Sequence, residues 1–299
     1  MSVAEAYQPT RINPGLLVKR LVLVLGAVFI AAWVILPLYW IVLTSISYRA
    51  ELLNVPPHWI PQRPTLTFYQ QILTNLVSGR IASSQSDMVI PGIRNSLLVS
   101  LTVTALNVLI GSVAAYAFAR LRFFGRRSLL VLLLAATMVP AFVLIVPYFV
   151  VFRTLGLTNT REGVILAHLS ISLAFTIWIL RGYLTTISID LERAARVDGC
   201  SRLQAMWHVV LPLAAPGLVT AALFAFLGSW NEFLFALVLN SRVDQMMVQP
   251  AIAGMYSMTM QEYGLMGAGS VLGALPTILL TLVFQRYLVQ GLLSGGVKG

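Results

Sequence analysis

The side chains with the most chemical character lie in a short charged segment between two long apolar runs. Residues 191–202 read Leu-Glu-Arg-Ala-Ala-Arg-Val-Asp-Gly-Cys-Ser-Arg, and five of these twelve positions carry a charge. Because charged side chains are costly inside a bilayer, the segment is expected to lie at the membrane edge. Its composition there indicates a docking surface.

The pattern of this segment predicts a helix, a turn and a second helix. Gly199 can take the left-handed conformation that ends many helices. Ser201, with Gln204 three residues later, has the form of a capping box, and Pro212 is expected to stop the helix that begins there. The apolar positions at helical spacing are Leu191, Ala194, Ala195, Leu203, Met206, Trp207 and Val210. The segment is therefore expected to be an amphipathic helical pair.

A second candidate is Glu232, an acid inside an otherwise uncharged apolar run, beside Trp230 and Asn231. An acidic side chain at the centre of a membrane helix costs about 2.5 to 3.5 kcal/mol on insertion scales, so Glu232 should face water or a partner group. Two interpretations stay open. The three residues line a path or an intersubunit contact near the outer half of the helix, or Glu232 pairs with a neighbouring helix of the same chain.

The sequence lacks the common motifs of catalysis and energy conversion. It has no Gly-x-x-x-x-Gly-Lys-Ser/Thr phosphate loop, no His-Glu-x-x-His and no paired cysteines at metal spacing. No catalytic residue is predicted, and the chain cannot hydrolyse ATP by itself. No metal site is expected, because His58, His168 and His208 are far apart. His168, inside an apolar run, is expected to form a hydrogen bond with a neighbouring helix.

Composition places the chain in the membrane. Of its 299 residues, 58% are hydrophobic and only 10% are charged, too few polar side chains to cover a soluble protein of this size. A bilayer core needs about 20 apolar residues for each helix. Six runs meet this need, and they predict an all-α bundle of six transmembrane helices: residues 21–46, 96–119, 128–152, 163–180, 216–239 and 263–285.

Basic residues predict how the chain lies in the membrane. The net charge is +10, but no polar domain gathers it, so nucleic acid is not an expected partner. With both termini inside, thirteen of the 20 basic residues fall in cytoplasmic segments. Residues 1–20 are then a cytoplasmic tail, residues 21–290 the transmembrane domain, and residues 291–299 a second cytoplasmic tail. Four glycines in that last segment give it little reason to form a helix.

The charged segment, extended over 191–212, resembles the EAA loop of bacterial ABC importer permeases. The usual pattern there is Glu-Ala-Ala, three residues, Gly, and a run ending in Leu-Pro; here Arg193 stands where relatives usually carry the Glu. The resemblance implies a coupling helix that sits in a cleft of a separate ATPase and transmits the closure of that ATPase to the pore. The implied coupling residues are Glu192, Arg193, Ala194, Ala195, Asp198, Gly199, Leu203 and Trp207.

Further blocks are similar to the permeases that import oligosaccharides and related polyols. They include residues 228–237, residues 115–120 and the C-terminal residues 291–299. The resemblance implies one of two homologous permease subunits in the inner membrane of a bacterium or archaeon. Its implied partners are a second permease, two ATPase subunits, an extracytoplasmic solute-binding protein and the lipid bilayer. Its implied solute is a sugar or polyol. No cofactor is expected in this chain, since ATP and Mg would bind to the ATPase.

Two other classes compete with this interpretation. A stand-alone channel or ion-coupled transporter is expected to hold several ionisable residues inside the membrane, whereas the apolar runs hold Glu232 alone. An intramembrane enzyme would need a catalytic pair, and no candidate pair is present. Co-purification of an ATPase is expected only for an importer permease.

Overall fold

A computed structural model describes residues 14–78, 85–256 and 262–296. Those residues are mainly helical. The helices are α1 (Pro14–Ile46), α2 (Thr67–Ser78), α3 (Val89–Arg120), α4 (Arg126–Thr137), α5 (Ala141–Thr154), α6 (Arg161–Thr186), α7 (Ile189–Val197), α8 (Arg202–Ala205), α9 (Leu211–Leu213), α10 (Ala215–Trp230), α11 (Leu234–Leu239), α12 (Val248–Ala253) and α13 (Tyr263–Gly296). Short 3₁₀ turns cover Glu51–Leu53 and Gln85–Met88, and a π turn covers Met206–Val210.

Four of the six expected spans are single long helices. They are α1, α3, α6 and α13, with mean hydropathies of 2.8, 2.1, 2.1 and 1.8 over their apolar segments. Each is long enough to cross a hydrocarbon core of about 30 Å. The sequence prediction is confirmed for these four runs, and six spans are reached when each of two bent helix pairs counts as one.

The other two expected spans are broken. The run 128–152 is divided between α4 and α5, which are bent by 97°. Pro140 lies at the break, where its ring and its missing N–H prevent a continuous helix. The run 216–239 is interrupted after Trp230 and resumes at Leu234. A further bend, of 80°, separates residues 202–213 from α10.

Helices α3, α6 and α10 form the centre of the bundle. Gly111 of α3 lets α6 approach closely, because a Cβ atom there would lie 2.8 Å from Cγ2 of Thr176. The Asn107 amide nitrogen of α3 donates to Ser172 Oγ of α6 at 2.8 Å. Small residues and hydrogen bonds between helices are the contacts expected where apolar side chains gain little by leaving lipid.

Helix α1 is attached to the bundle at one end only. Side chains from Val18 to Tyr39 are exposed, whereas Leu43 and Ser45 are buried. At that end Gly267 of α13 allows close contact, since a Cβ there would lie 2.7 Å from Thr44 Oγ1 and 2.9 Å from the backbone nitrogen of Ser45. The first helix therefore crosses the membrane largely beside this chain's bundle.

Helical structure extends into both expected tails. Helix α1 already begins at Pro14, so residues 14–20 are helical, and residues 1–13 lie outside the described residues. Helix α13 continues to Gly296, so residues 291–296 extend a preceding helix and form no helix of their own. Propagation from a long preceding helix adds one hydrogen bond for each residue, which outweighs the poor propensity of glycine.

Candidate functional site

The segment between α6 and α10 forms the expected helix, turn and helix. The Ser188 hydroxyl accepts from Asp190 N at the start of α7. Gly199 ends this helix with a φ of +97°, a conformation that favours glycine. Ser201 and Gln204 form a complete capping box at α8, with the Ser201 nitrogen donating to Gln204 Oε1 at 2.8 Å. The turn chemistry read from the sequence is confirmed.

The end of this segment differs from the prediction at Pro212. Helical structure continues through the π turn and through α9, and the chain bends only at Ala214. Pro212 is the second residue of α9, which ends at Leu213. The helical segment therefore ends one residue later than the sequence predicts, within the usual uncertainty of a helix boundary.

The outer face of the loop is partly apolar. The exposed fraction is 87% for Val197, 63% for Leu203 and 46% for Trp207. Six of the eight expected coupling residues are exposed: Arg193, Ala194, Asp198, Gly199, Leu203 and Trp207. Ala195 is half-buried. Exposed apolar side chains on a loop that leaves a membrane bundle are consistent with a surface that binds another protein.

Glu192 points in the opposite direction. It is only 6% exposed, and its Oε1 accepts from the Tyr116 hydroxyl at 2.6 Å. Its Oε2 lies 3.5 Å from Arg120 Nε, and Arg120 Nη2 donates to the Ile187 carbonyl at 2.7 Å. We define Glu192, Tyr116 and Arg120 as the inner cluster. Glu192 therefore contacts the end of α3 and does not lie on the exposed face of the loop, and its expected part in coupling stays a prediction.

The apolar face of α7 is largely uncovered. Leu191 is 47% exposed, Ala194 is exposed and Ala195 is half-buried, so the three residues that helical spacing groups together share an accessible face. Arg193 is exposed and pairs with Asp190 one turn earlier, at 3.0 Å. An exposed pair of this kind contributes little stability, so the Arg193 guanidinium is available to a partner.

The second candidate, Glu232, pairs within the chain. Its Oε2 lies 3.0 Å from His168 Nε2, and His168 Nδ1 lies 2.9 Å from Ser229 Oγ. Its two oxygens also accept from the backbone nitrogens of Phe235 and Ala236, each at 3.0 Å. We define Glu232, His168 and Ser229 as the bend cluster. The carboxylate thus caps α11 and joins α10 to α6, which favours the interpretation of pairing with a neighbouring helix and confirms the expected role of His168.

The two residues before Glu232 differ in burial. Trp230 is fully buried, and its Nε1 donates to the Gly273 carbonyl of α13 at 3.1 Å. The expectation that Trp230 lines a path or meets another subunit is therefore wrong in this conformation. Asn231 is exposed, and its amide nitrogen donates to the Leu227 carbonyl.

Sequence reasoning missed a polar site at the other end of α3. The Asn95 amide nitrogen donates to the carbonyls of Asp244 and Met246, both at 3.0 Å. The backbone nitrogen of Val248 donates to Ser96 Oγ at 2.9 Å. We define Asn95 and Ser96 with residues 244–248 as the far anchor. Polar residues at the start of an apolar run are its only sequence signal.

Metal ligands do not gather in the part of the chain that the structure describes. Within residues 14–78, 85–256 and 262–296, no three or more His, Cys, Asp or Glu side chains could hold a metal ion. The bend cluster supplies one imidazole and one carboxylate, and both are already hydrogen-bonded. The groups with functional character are therefore a protruding loop and buried polar contacts between helices.

Together these features define a class: a helical membrane protein of several spans, with a helix-turn-helix loop between its fourth and fifth spans. Residues 107–294 match the family described as binding-protein-dependent transport system inner membrane component. This match covers more than half of the chain and includes the loop. The chain therefore belongs to that family, and the resemblance found in the sequence is confirmed.

Similar proteins of known role cover nearly the whole chain. The sulfoquinovosyl glycerol transport system permease protein SmoH of Agrobacterium fabrum is 37% identical over 276 residues, which are 91% of this chain and 93% of that protein. The trehalose transport system permease protein SugB of Mycobacterium tuberculosis is 35% identical, over 90% of this chain and 94% of its own length. This chain is accordingly a permease subunit of an ABC importer, and ATP hydrolysis belongs to another subunit of such importers.

A solved structure supports the fold. One chain in the crystal structure of a bacterial ABC transporter involved in the import of the acidic polysaccharide alginate superposes with a TM-score of 0.73. The match covers 90% of this chain and 97% of that chain at 23% identity. The all-α membrane fold class is thus confirmed.

Proposed function

We propose that this chain forms one half of a translocation pore for a sugar or related polyol. A second, homologous permease completes the pore, two ATPase subunits drive it, and an extracytoplasmic binding protein delivers the solute. ATP and Mg bind to the ATPase subunits, and this chain holds no cofactor. Energy enters through the loop 191–212, because only a contact that differs between two states can shift their equilibrium.

The observation that carries the proposal is the exposed apolar face of the loop. Val197 and Leu203 stand out from the bundle with most of their surface uncovered, and the turn at Gly199 holds the two short helices in one fixed geometry. A rigid, partly apolar protrusion of this kind suits a cleft in a second protein. Arg193 adds a charge to the rim of that contact.

Charge distribution supports an inside location for the loop. The connection between α3 and α4 carries Arg122, α4 begins with Arg126 and Arg127, and α7 carries Arg193 and Arg196. Both connections lie at the same end of the bundle, and basic residues accumulate on the cytoplasmic side of membrane proteins. We accordingly place the loop and both termini in the cytoplasm, and the far anchor on the outer side.

Uncovered apolar helices support a second permease. The outward face of α3 exposes Leu98, Leu101 and Leu109, and α1 is exposed along its length up to its last turns, which contact the bundle. Lipid or a homologous subunit can cover such surfaces, and the family resemblance favours the subunit over part of them. Two permeases would then enclose the path between them.

Names of the relatives and one aromatic patch support a carbohydrate solute. The two relatives named above are described as transporting sulfoquinovosyl glycerol and trehalose. In this chain Trp178 and Phe175 are 43% and 40% exposed and stack at 6.0 Å, with Phe224 edge-on to Phe175 at 5.6 Å. An exposed flat ring can pack against the apolar face of a sugar. Trp230, which is buried, offers no such face.

Reconstitution tests the proposal directly. The chain is co-expressed with the permease, ATPase and binding protein encoded beside it, and the complex is inserted into proteoliposomes. We expect the ATPase to co-purify and labelled sugar to enter only with ATP and the binding protein. Uptake by this chain alone, driven by an ion gradient, would show the competing class of stand-alone transporter instead.

A further inference from the structure

Helix α3 lies between two polar attachments at opposite ends of the bundle. It is 32 residues long, which corresponds to a length of about 48 Å at 1.5 Å for each residue. Pro91 lies in its first turn, where a missing N–H leaves no helical hydrogen bond broken. The helix is continuous from there to Arg120. A movement applied to one end can therefore reach the other without passing through a hinge.

At the loop end, the inner cluster ties α7 to α3. The side chains of Arg120 and Glu192 are both only 8% exposed, and Tyr116 and Arg120 approach different oxygens of the same carboxylate. Arg120 also donates to the Ile187 carbonyl just before α7. Pulling the loop away from α3 would leave charges buried without a partner, which is strongly unfavourable. The loop and the end of α3 are therefore expected to move together.

At the opposite end, the far anchor ties α3 to the segment that leads into α12. Asn95 is 2% exposed, and it holds two carbonyls of that segment with one amide group. Gly92 allows close contact, because a Cβ there would lie 3.1 Å from the Cα of Val248. These contacts reach the backbone of residues 244–248, so they fix the path of that segment.

The middle of α3 is held against α6. The hydrogen bond from Asn107 to Ser172 and the close contact of Gly111 with Thr176 join the two helices between the end attachments. Close-packed helices transmit displacement because their side chains cannot rearrange continuously. Helices α3 and α6 are thus a single body between the loop and residues 244–248.

We propose that α3 is a strut that transmits movement between the loop 191–212 and the segment 244–248, with Glu192 and Asn95 as the positioning residues at its ends. The inference rests on the proposed function, which places an ATPase at the loop and a binding protein on the outer side. Coupling between two binding sites is reciprocal. Solute-loaded binding protein at the outer segment therefore raises ATP hydrolysis through the strut.

The test measures stimulation of ATP hydrolysis in the reconstituted complex. Asn95→Ala removes both hydrogen bonds of the far anchor, and we expect it to leave the basal rate within about twofold. The ratio of rates with and without loaded binding protein should fall by about fivefold or more, the lower end of typical coupling factors. Thr102→Ala is the matched control, because Thr102 is exposed on α3 and bonds only to Leu98 of its own helix.

Combining the two ends sharpens the result. Glu192→Gln should lower the same ratio of rates. The double variant Asn95→Ala with Glu192→Gln should have a ratio no lower than that of the more impaired single variant, because both substitutions interrupt one path. Losses that multiply in the double variant would overturn the strut. A variant with a lower midpoint of thermal unfolding but an unchanged ratio of rates would also overturn it, since a purely structural role has that effect.

Two further measurements separate this inference from the proposed function. If Asn95→Ala fails to assemble, Ser96→Ala removes one bond of the same anchor and should lower the ratio by a smaller factor. Full stimulation in an assembled Ser96→Ala and in Glu192→Gln would contradict the strut alone. A wild-type complex that lacks an ATPase, or that the binding protein never stimulates, would contradict the proposed function itself.

Discussion

Glu192 and Glu232 are two carboxylates enclosed by apolar helices, and their partners differ in kind. Glu192 depends on Tyr116 and Arg120, which lie more than 70 residues earlier in the chain. Glu232 accepts from backbone nitrogens three and four residues later, and from His168. The inner cluster therefore joins two parts of the molecule that could separate, whereas the bend cluster mainly stabilises a local break in one span.

Burial of a charge does not by itself indicate a pore. A carboxylate in an apolar run attracts attention because lipid is the assumed alternative. At Glu232 the backbone is already broken, and the side chain satisfies N–H groups that a continuous helix would have paired. The less conspicuous acid, Glu192, is the one placed where a moving partner would act.

The largest effect is expected from Glu192→Leu. It leaves the Arg120 charge buried without its carboxylate, which should lower the free energy of unfolding by about 3 kcal/mol. Denaturation of the purified chain in detergent measures this. Asp190→Ala, which removes the exposed pair with Arg193 and a 3.4 Å hydrogen bond from the Ser188 hydroxyl, should cost less than about 1 kcal/mol.

A compensating variant makes the same comparison stricter. Arg120→Met combined with Glu192→Leu leaves neither charge and should recover most of the stability lost in Glu192→Leu. If the double variant is as unstable as the single one, the inner cluster is held by packing and not by its charges.

A smaller effect is expected from Glu232→Gln. The amide keeps one oxygen for a backbone nitrogen but loses the charge-assisted bonds, at a cost of about 1.5 kcal/mol in the free energy of unfolding. Asn231→Ala, at the exposed neighbour, should change stability by less than about 0.5 kcal/mol. Transport should fall only as far as assembly falls. Loss of transport by a fully assembled Glu232→Gln complex would instead place this carboxylate in the path.

Substitution of Gly199 tests the loop surface with little disturbance inside the chain. A Cβ there meets no atom within 4 Å, so Gly199→Val costs only the strain of a positive φ, about 1 kcal/mol. We expect the variant to stay in the membrane while ATP hydrolysis is uncoupled from transport. Gly182→Ala, which also has open space but no positive φ, is the control. Normal transport by Gly199→Val would exclude this turn from the contact with the ATPase.

The smallest change in stability is expected from Arg193→Ala. The pair with Asp190 has 68% and 76% of its two side chains exposed, so its loss should change the free energy of unfolding by less than about 0.5 kcal/mol. The measurement is the Kd of the ATPase for the permease pair. A higher Kd would show that Arg193 takes part in the contact. Arg196→Ala, on the same helix, serves as the comparison. An unchanged Kd would leave the apolar side chains as the whole contact.

Local signals in the sequence were sufficient where the structure depends on neighbouring residues. The capping box at Ser201, the left-handed turn at Gly199 and the long apolar helices all follow from patterns within a few residues or from composition. The break at Pro140 has the same origin, since proline acts on its own turn.

Contacts between distant elements could not be read in this way. Helical spacing indicates that Leu191, Ala194 and Ala195 share one face, but it does not show that Glu192 pairs with Arg120, which belongs to another helix. The sequence suggests Trp230 as a residue of the path, but it does not show that the Trp230 indole donates to the Gly273 carbonyl of another helix. The far anchor was missed for the same reason, because Asn95 bonds to carbonyls about 150 residues later.

The single-ended attachment of α1 also bears on how the protein enters its membrane. The most apolar part of this helix buries none of its residues against the rest of the chain, and its mean hydropathy is 2.8. A helix satisfies its own backbone in lipid, so α1 can insert during synthesis before any later helix is made. Packing of α1 against α13 then requires only the last turns of α1, where Thr44 and Ser45 lie close to Gly267. Biogenesis of the bundle can accordingly proceed in two stages: α1 first inserts alone, and its last turns later pack against α13.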